Sequence, residues 1–364
     1  MPRAQTIDAL RLLASFVLVV GHICGERLLG ESLKDMLLSG VSSATFCLMS
    51  GFVVVSSSGF WQLPLHVTLL KRAFRLYPPH WFAFALTLPM AFLGRQHLDR
   101  SLIPETLAWW GTGMQAFLPL DHFYTYWNYP AWTITPLLLG GLLLPWIRLA
   151  RLRSWPTSNI WSLLILFTML RILFEVLQGP PQGAGELFAR HKAVLPRVLA
   201  VQIGGLAALL YQRSRPSFFS RDITLITLIA LTTLTVLIAR RMGGAGLIYT
   251  FTHGPYIPVG LLLITSAYAN TGRIARLCSH PLIARGAEAS ILIWLLHVPL
   301  YSVMTRVAYR LGYPAHIIHG WPGAIATILA TLTTATLLAP LLRFTRYRAS
   351  TAPPTPESPA LAST

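Results

Sequence analysis

Arg11 and His22 are the residues of this chain whose types and spacing first point to chemistry. A histidine side chain exchanges a proton near neutral pH, and a guanidinium grips anions through a planar fork of donors. Both sit in the stretch Ile7-Asp8-Ala9-Leu10-Arg11 through Gly21-His22, which is apolar enough to enter a bilayer. Eleven positions separate them, about 1100° of helical rotation, or three turns plus roughly 20°. The two therefore share one helix face, about 16 Å apart along the axis. Ionisable groups inside a membrane helix are costly and usually face a cavity. The same spacing also suits an arginine snorkelling to cytoplasmic headgroups and a histidine bonded to a neighbouring helix. Asp8 can orient Arg11 as an i,i+3 partner, or simply occupy the acid-favouring start of the helix.

A second basic constellation lies in Lys71-Arg72-Ala73-Phe74-Arg75-Leu76-Tyr77-Pro78-Pro79. Arg72 and Arg75 are three apart, so on a helical turn both can address one anionic group. An ordinary positive-inside cluster has the same look. Arg11 is expected at the same membrane level, and several arginines at one rim fit a nucleotide-like polyphosphate. Further polar residues fall inside apolar runs. Arg171 and Glu175, four apart, read as a structural pair. Arg197 either snorkels or binds substrate. His297 either orients His22 or makes a helix-to-helix hydrogen bond. Ser50 and Gly51 fit close helix packing, and Trp132 fits a sugar platform or an interfacial anchor.

The elements that must hold these groups follow from composition. Of 364 residues, 54% are hydrophobic and only 11% charged, whereas soluble proteins carry about 25% charged residues. That excludes a soluble enzyme. The net charge of +17 does not indicate nucleic acid, because the basic residues are spread in small groups between apolar runs. Cys24, Cys47 and Cys278 lie far apart without CxxC spacing, so neither a disulfide framework nor a metal site is expected. The first apolar run lacks a cleavage site and is expected to be retained.

About ten apolar runs are long enough to span, near 7–24, 36–57, 76–93, 131–147, 159–177, 194–211, 223–239, 255–270, 289–305 and 321–342. With the N-terminus inside, 16 Lys and Arg fall in cytoplasmic segments and 10 in outer ones. Every inner loop between spans then carries three basic residues, and every outer loop two. The expected fold is an all-α polytopic membrane protein of about ten transmembrane helices with both termini cytoplasmic. Residues 1–348 form one transmembrane domain and 349–364 a disordered Pro/Ser/Thr-rich tail. Leu102 to Leu118 reads as interfacial or re-entrant, with an eleventh span as the alternative. The aromatic-rich Asp121 to Tyr129 fits an interfacial belt or a sugar-stacking surface.

Several of these stretches together resemble the acyltransferase-3 family of integral membrane acyltransferases. Arg11 and His22 match its Arg/Lys-x10-His motif, and Arg72 and Arg75 its Arg-x-x-Arg motif, followed by Tyr77-Pro78. Phe46 to Phe52 resembles its Ser-Gly-Phe segment. Pro196-Arg197 with Gly204, and Ile293 to His297, resemble two later elements. The likeness runs from Ile7 to about Leu342. One departure stands out: Trp132-Thr133-Ile134-Thr135 occupies the place of a Trp-Ser-x-Glu-Glu segment in many members, and its carboxylates are missing.

The resemblance implies an O-acyltransferase, most simply an O-acetyltransferase. It would move an acyl group from cytoplasmic acetyl-CoA to a sugar hydroxyl of an exopolysaccharide or lipid-linked oligosaccharide at the periplasmic side. An alcohol is a poor nucleophile at neutral pH, so the transfer needs a base. His22 suits that task, placed about 22 Å into a roughly 30 Å hydrocarbon slab. Arg11, Arg72 and Arg75 would hold the phosphates of the donor. Asp8, Ser50, Trp132, Arg197 and His297 would support them. No bound cofactor or metal is implied, acetyl-CoA being a substrate. The implied partners are the bilayer, the glycan acceptor and polysaccharide assembly proteins, with no nucleic acid. Three lysines against twenty-six arginines suggest a GC-rich bacterial genome, hence a bacterial inner membrane. The lack of a fused extracytoplasmic domain looks similar to exopolysaccharide acetyltransferases of the xanthan type. A multi-span transporter or flippase for a lipid-linked saccharide or small solute is the alternative, with the same His and Arg lining a pathway.

Overall fold

The computed structural model describes residues 5–37, 41–93, 103–117, 129–178, 193–254 and 256–342. The described residues of all ten apolar runs are mostly helical. Among the described residues, six helical segments are long and apolar enough to cross a membrane, among them Gln5–Gly25, Val194–Ser214 and Pro281–Arg310. Three shorter apolar helices accompany them.

The first helix, α1 (Gln5–Leu37), is broken by non-helical backbone at Gly25 and Gly30. Gly25 has φ 54°, a left-handed conformation that costs a residue with a Cβ roughly 1–2 kcal/mol. His22 therefore lies in the last turn of the regular helix. The carbonyl end of the regular helix is thus within a turn of His22. Next come α2 (Val41–Ser56), the short α3 (Ser58–Gln62) and α4 (Leu65–Leu93). The third apolar run was expected from residue 76. It starts about three turns earlier, at Leu65, so Lys71, Arg72 and Arg75 ride on the helix itself.

The segment expected to be interfacial or re-entrant is the ten-residue helix α5 (Ile103–Thr112), followed by a 3-10 turn at Gln115–Phe117. Ten residues reach about 15 Å, half a hydrocarbon core, so α5 does not span. Its C-terminal carbonyls, which no residue of the helix can satisfy, are held by one face of α4. Tyr77 Oη donates to Thr112 O at 2.9 Å, Trp81 Nε1 donates to Gly111 O at 2.7 Å, and His80 Nε2 lies 2.6 Å from Trp110 O. The chain then returns through α6 (Ile134–Leu143), α7 (Trp146–Leu149), α8 (Thr157–Gln178), α9 (Val194–Ser214), α10 (Asp222–His253) and α11 (Tyr256–Ala269). It ends in α12 (Arg273–Cys278), α13 (Pro281–Arg310), α14 (Ala315–Ile318) and α15 (Trp321–Leu338).

The centre of the bundle is α2 against α9. A Cβ on Gly51 would collide with the Val201 carbonyl, and one on Gly204 with the Leu48 carbonyl. The two backbones approach this closely only because both positions are glycine. Helices α8, α10 and α15 form the periphery. They turn large apolar side chains outward, such as Ile165, Met169, Ile223, Leu234, Leu329 and Leu337, an inside-out pattern suited to lipid. Glu175 was paired with Arg171 from sequence, but its side chain lies outside the described residues. So do Asp121 to Asn128 of the aromatic stretch and the tail beyond Leu342.

Candidate active site

His22 on α1 and His297 on α13 meet at the heart of the candidate site. Their rings stack with centroids 5.0 Å apart and planes 15° from parallel. His22 Nδ1 lies 2.8 Å from His297 Nε2, and His297 Nδ1 lies 2.7 Å from the Trp294 carbonyl. That carbonyl can only accept, so His297 carries its proton on Nδ1. With both rings neutral, His297 Nε2 is then an acceptor and His22 must donate from Nδ1. The chain of bonds leaves the lone pair of His22 on Nε2, the arrangement a general base needs. His297 is fully buried and His22 partly exposed. The helix contact that presents them is fixed lower down, where Ser15 Oγ donates to Ser290 O at 3.1 Å. Ser15 was not singled out in the sequence, since a serine on an apolar helix gives no signal of its own.

The arginines lie toward the start of α1. Arg11 Nη1 bonds Asp8 Oδ1 at 3.1 Å, closing the i,i+3 pair. Arg11, Arg72 and Arg75 all line one cavity of about 500 Å³. Arg75 is exposed at its mouth, whereas Arg72 turns inward. Its Nη2 donates to Leu137 O at 2.9 Å and to Ser50 Oγ, and its Nε has no hydrogen-bond partner among the described residues. Ser50 thus supports Arg72. The space for that guanidinium exists because position 141 is glycine, where a Cβ would strike it. The far wall of the cavity includes Phe46 and Ser290. Phe46 packs edge-on against Trp294 at 4.7 Å, and the Trp294 carbonyl is the one holding His297. Phe46 and Trp294 thus connect the cavity wall to the histidine pair.

Trp132 and Arg197 are brought together, with the guanidinium carbon 5.5 Å from the indole centroid. Both are buried, so Trp132 is no interfacial anchor and Arg197 does not snorkel to an outer surface. Arg171, likewise buried, donates to the Pro196 carbonyl beside Arg197. Trp294 Nε1 donates to Pro130 O at 3.2 Å, tying this corner to the histidines. Among the described residues no group of three or more His, Cys, Asp or Glu is placed to hold a metal ion.

The model of the acyltransferase-3 family, described as an acyltransferase domain, matches residues 5–340. The chain belongs to this family. Neither the comparison with curated proteins nor that with solved structures found a match. The protein is thus an all-helical membrane acyltransferase, and the site described above holds its Arg-x10-His and Arg-x-x-Arg residues around one region of the bundle. Where many acyltransferase-3 members carry a carboxylate pair, Thr135 here does structural work. Its hydroxyl donates to the Gly113 carbonyl and accepts from Ala116 N–H at 3.3 Å. Beside it, Gln115 Nε2 donates to Ala131 O at 2.6 Å. The departure therefore fastens the α5 turn to α6.

Proposed function

We propose that this protein is an O-acetyltransferase of a bacterial inner membrane, with acetyl-CoA as donor and a sugar hydroxyl as acceptor. The acceptor is an exopolysaccharide unit or lipid-linked oligosaccharide at the periplasmic side, in the manner of xanthan-type enzymes. Ten transmembrane spans with both termini cytoplasmic complete the reading. The observation that carries it is the His22–His297 pair, whose hydrogen bonds put a basic nitrogen on His22 about 16 Å along α1 from Arg11.

His22 Nε2 takes the proton of the sugar hydroxyl as its oxygen attacks the thioester carbonyl. The tetrahedral intermediate collapses with cleavage of the C–S bond, and the imidazolium returns the proton to the departing thiolate. Ester and free coenzyme A are the products. Positive charge that develops on His22 meets His297 Nε2 on one side and the carbonyl end of the regular α1 helix on the other. Arg11, Arg72 and Arg75 hold the donor's phosphates while the pantetheine arm runs parallel to α1. Arg197 over Trp132 supports the far side.

The test is incubation of the purified protein with labelled acetyl-CoA and a panel of lipid-linked oligosaccharides. The expected result is label in an ester on one hydroxyl, identified by mass spectrometry. Movement of an unmodified saccharide across a vesicle membrane, with no ester formed, would replace this reading with the transporter.

A further inference from the structure

A second and larger chamber, of about 1210 Å³, opens at the same end of the bundle and shares Arg11, Val53 and Arg75 with the first. Five arginines line it, Arg11, Arg75, Arg153, Arg215 and Arg276, against a single acid, Asp8. Asp8 is already bonded to Arg11. No carboxylate of the described residues pairs with Arg153, Arg215 or Arg276, so the wall carries a net charge of four. Other arginines at this end are used up by the fold. Arg148 donates to the Phe60 and Leu63 carbonyls at 2.8 Å, and Arg213 to the Leu152 and Arg153 carbonyls at 3.1 and 2.9 Å.

Two further observations single out the chamber. Arg215 caps α9 with φ 39°, a left-handed position where glycine would sit without strain. That turn sets Arg215 in the chamber wall. Trp61, its Nε1 bonded to Val55 O at 2.9 Å, lies under the Arg153 guanidinium at 5.2 Å. That stack gives a flat, cationic platform of the kind that receives a purine. Arg276 is set by α12, whose first N–H groups bond Asp222 at 2.6 and 3.2 Å.

Resting on the reading of acetyl-CoA as donor, we propose that this chamber binds the adenosine 3′,5′-bisphosphate end of the donor through Arg153, Arg215 and Arg276. The enzyme thereby selects free acyl-CoA over acyl groups carried on phosphopantetheine alone. The ligand's charge complements the wall: the 3′-phosphomonoester carries roughly two negative charges and falls to Arg153, Arg215 and Arg276, while the diphosphate passes to Arg11 and Arg75, which line both cavities. The cavity exceeds the roughly 300–1,000 Å³ of ordinary ligand pockets, which leaves room for a nucleotide outside the narrower cavity at Arg72.

The test uses the full-length protein in nanodiscs, with Arg153→Gln, Arg215→Gln and Arg276→Gln checked for unchanged melting temperature. Adenosine 3′,5′-bisphosphate should bind the parent protein and bind each variant about tenfold more weakly, the scale of one charge-assisted contact. KM for acetyl-CoA should rise by a similar factor with kcat within twofold. KM for S-acetyl-4′-phosphopantetheine should not change. Variants that bind the bisphosphate as the parent does, or that lose both donors equally, would overturn the assignment. So would inorganic phosphate competing as well as the nucleotide. Bisphosphate binding with no acyl transfer would sink the proposed reaction and leave the chamber standing. Transfer that is indifferent to all three arginines would do the reverse.

Discussion

His22 and His297 are 275 positions apart in the chain and 2.8 Å apart in space. Their pairing turns two isolated histidines into an oriented base, because the Trp294 carbonyl dictates both tautomers. If His22 is the base, His22→Gln keeps hydrogen bonding but cannot take a proton, and single-turnover acetyl transfer should fall by roughly 10²–10⁴-fold. His297→Gln retains an acceptor for His22 Nδ1–H and should cost less. The double variant should be no worse than His22→Gln alone, since the two act as one unit. A His22→Gln protein keeping more than about a tenth of the rate would end the general-base assignment. Arg72 makes a different point. Its spacing from Arg75 suggests two equal hands on one phosphate, yet the fold spends part of its donor set on Ser50 and Leu137.

At the scale of elements, function depends on how closely α2 and α9 approach. Gly51 faces the Val201 backbone and Gly204 the Leu48 backbone, and together they hold the helix that carries Ser50 beside the one that carries Arg197. Gly51→Ala and Gly204→Ala force these backbones apart. Each should destabilise the protein by about 1–3 kcal/mol, seen as an earlier thermal transition in detergent. Gly111→Ala, on a helix with open space beside it, is the control and should melt no earlier than the parent. A Gly204→Ala protein as stable as the control would mean that the two helices are not in backbone contact. The α5 turn shows the same dependence on partners. Its helix is too short to span, and it is held by Tyr77, His80, Trp81 and Thr135, side chains drawn from two other helices.

The whole molecule places Gln5, Arg153, Arg215 and Arg276 around one chamber, so the segments richest in arginine share one end. Tyr313 lies just beyond the far end of α13, whose 30 residues extend about 45 Å. Orientation follows if the arginine-rich end is cytoplasmic. With Cys24, Cys47 and Cys278 replaced, a cysteine at Tyr313 should react with an impermeant maleimide added to intact cells. Cysteines at Ser154 and Ser214, both exposed, should react only after lysis. Labelling of Ser154 from outside would break the ten-span arrangement. The outward-facing apolar side chains of α8, α10 and α15 surround a largely apolar core, and buried Arg171, Arg197 and His297 persist there through hydrogen bonds and aromatic contacts inside the bundle.

The sequence by itself determined what periodicity and composition can encode. Long apolar runs with few charges dictate membrane helices. Eleven positions place Arg11 and His22 on one face, and three positions let Asp8 reach Arg11, because helix geometry is local. The family was legible for the same reason, since its motifs are short spacings within single helices. The tertiary structure alone decided which residues meet across helices. The partner of His22, the burial of Trp132 under Arg197, the use of Thr135 as a clasp and the gathering of Arg153, Arg215 and Arg276 all join distant segments. Hydrogen bonds and close backbone contacts between helices fix these choices, and no periodicity records them. The bond from the Trp294 carbonyl to His297 depends on which face α13 turns toward α1. The contact of Ser15 with Ser290 lies on that face, where two small residues let two helices approach.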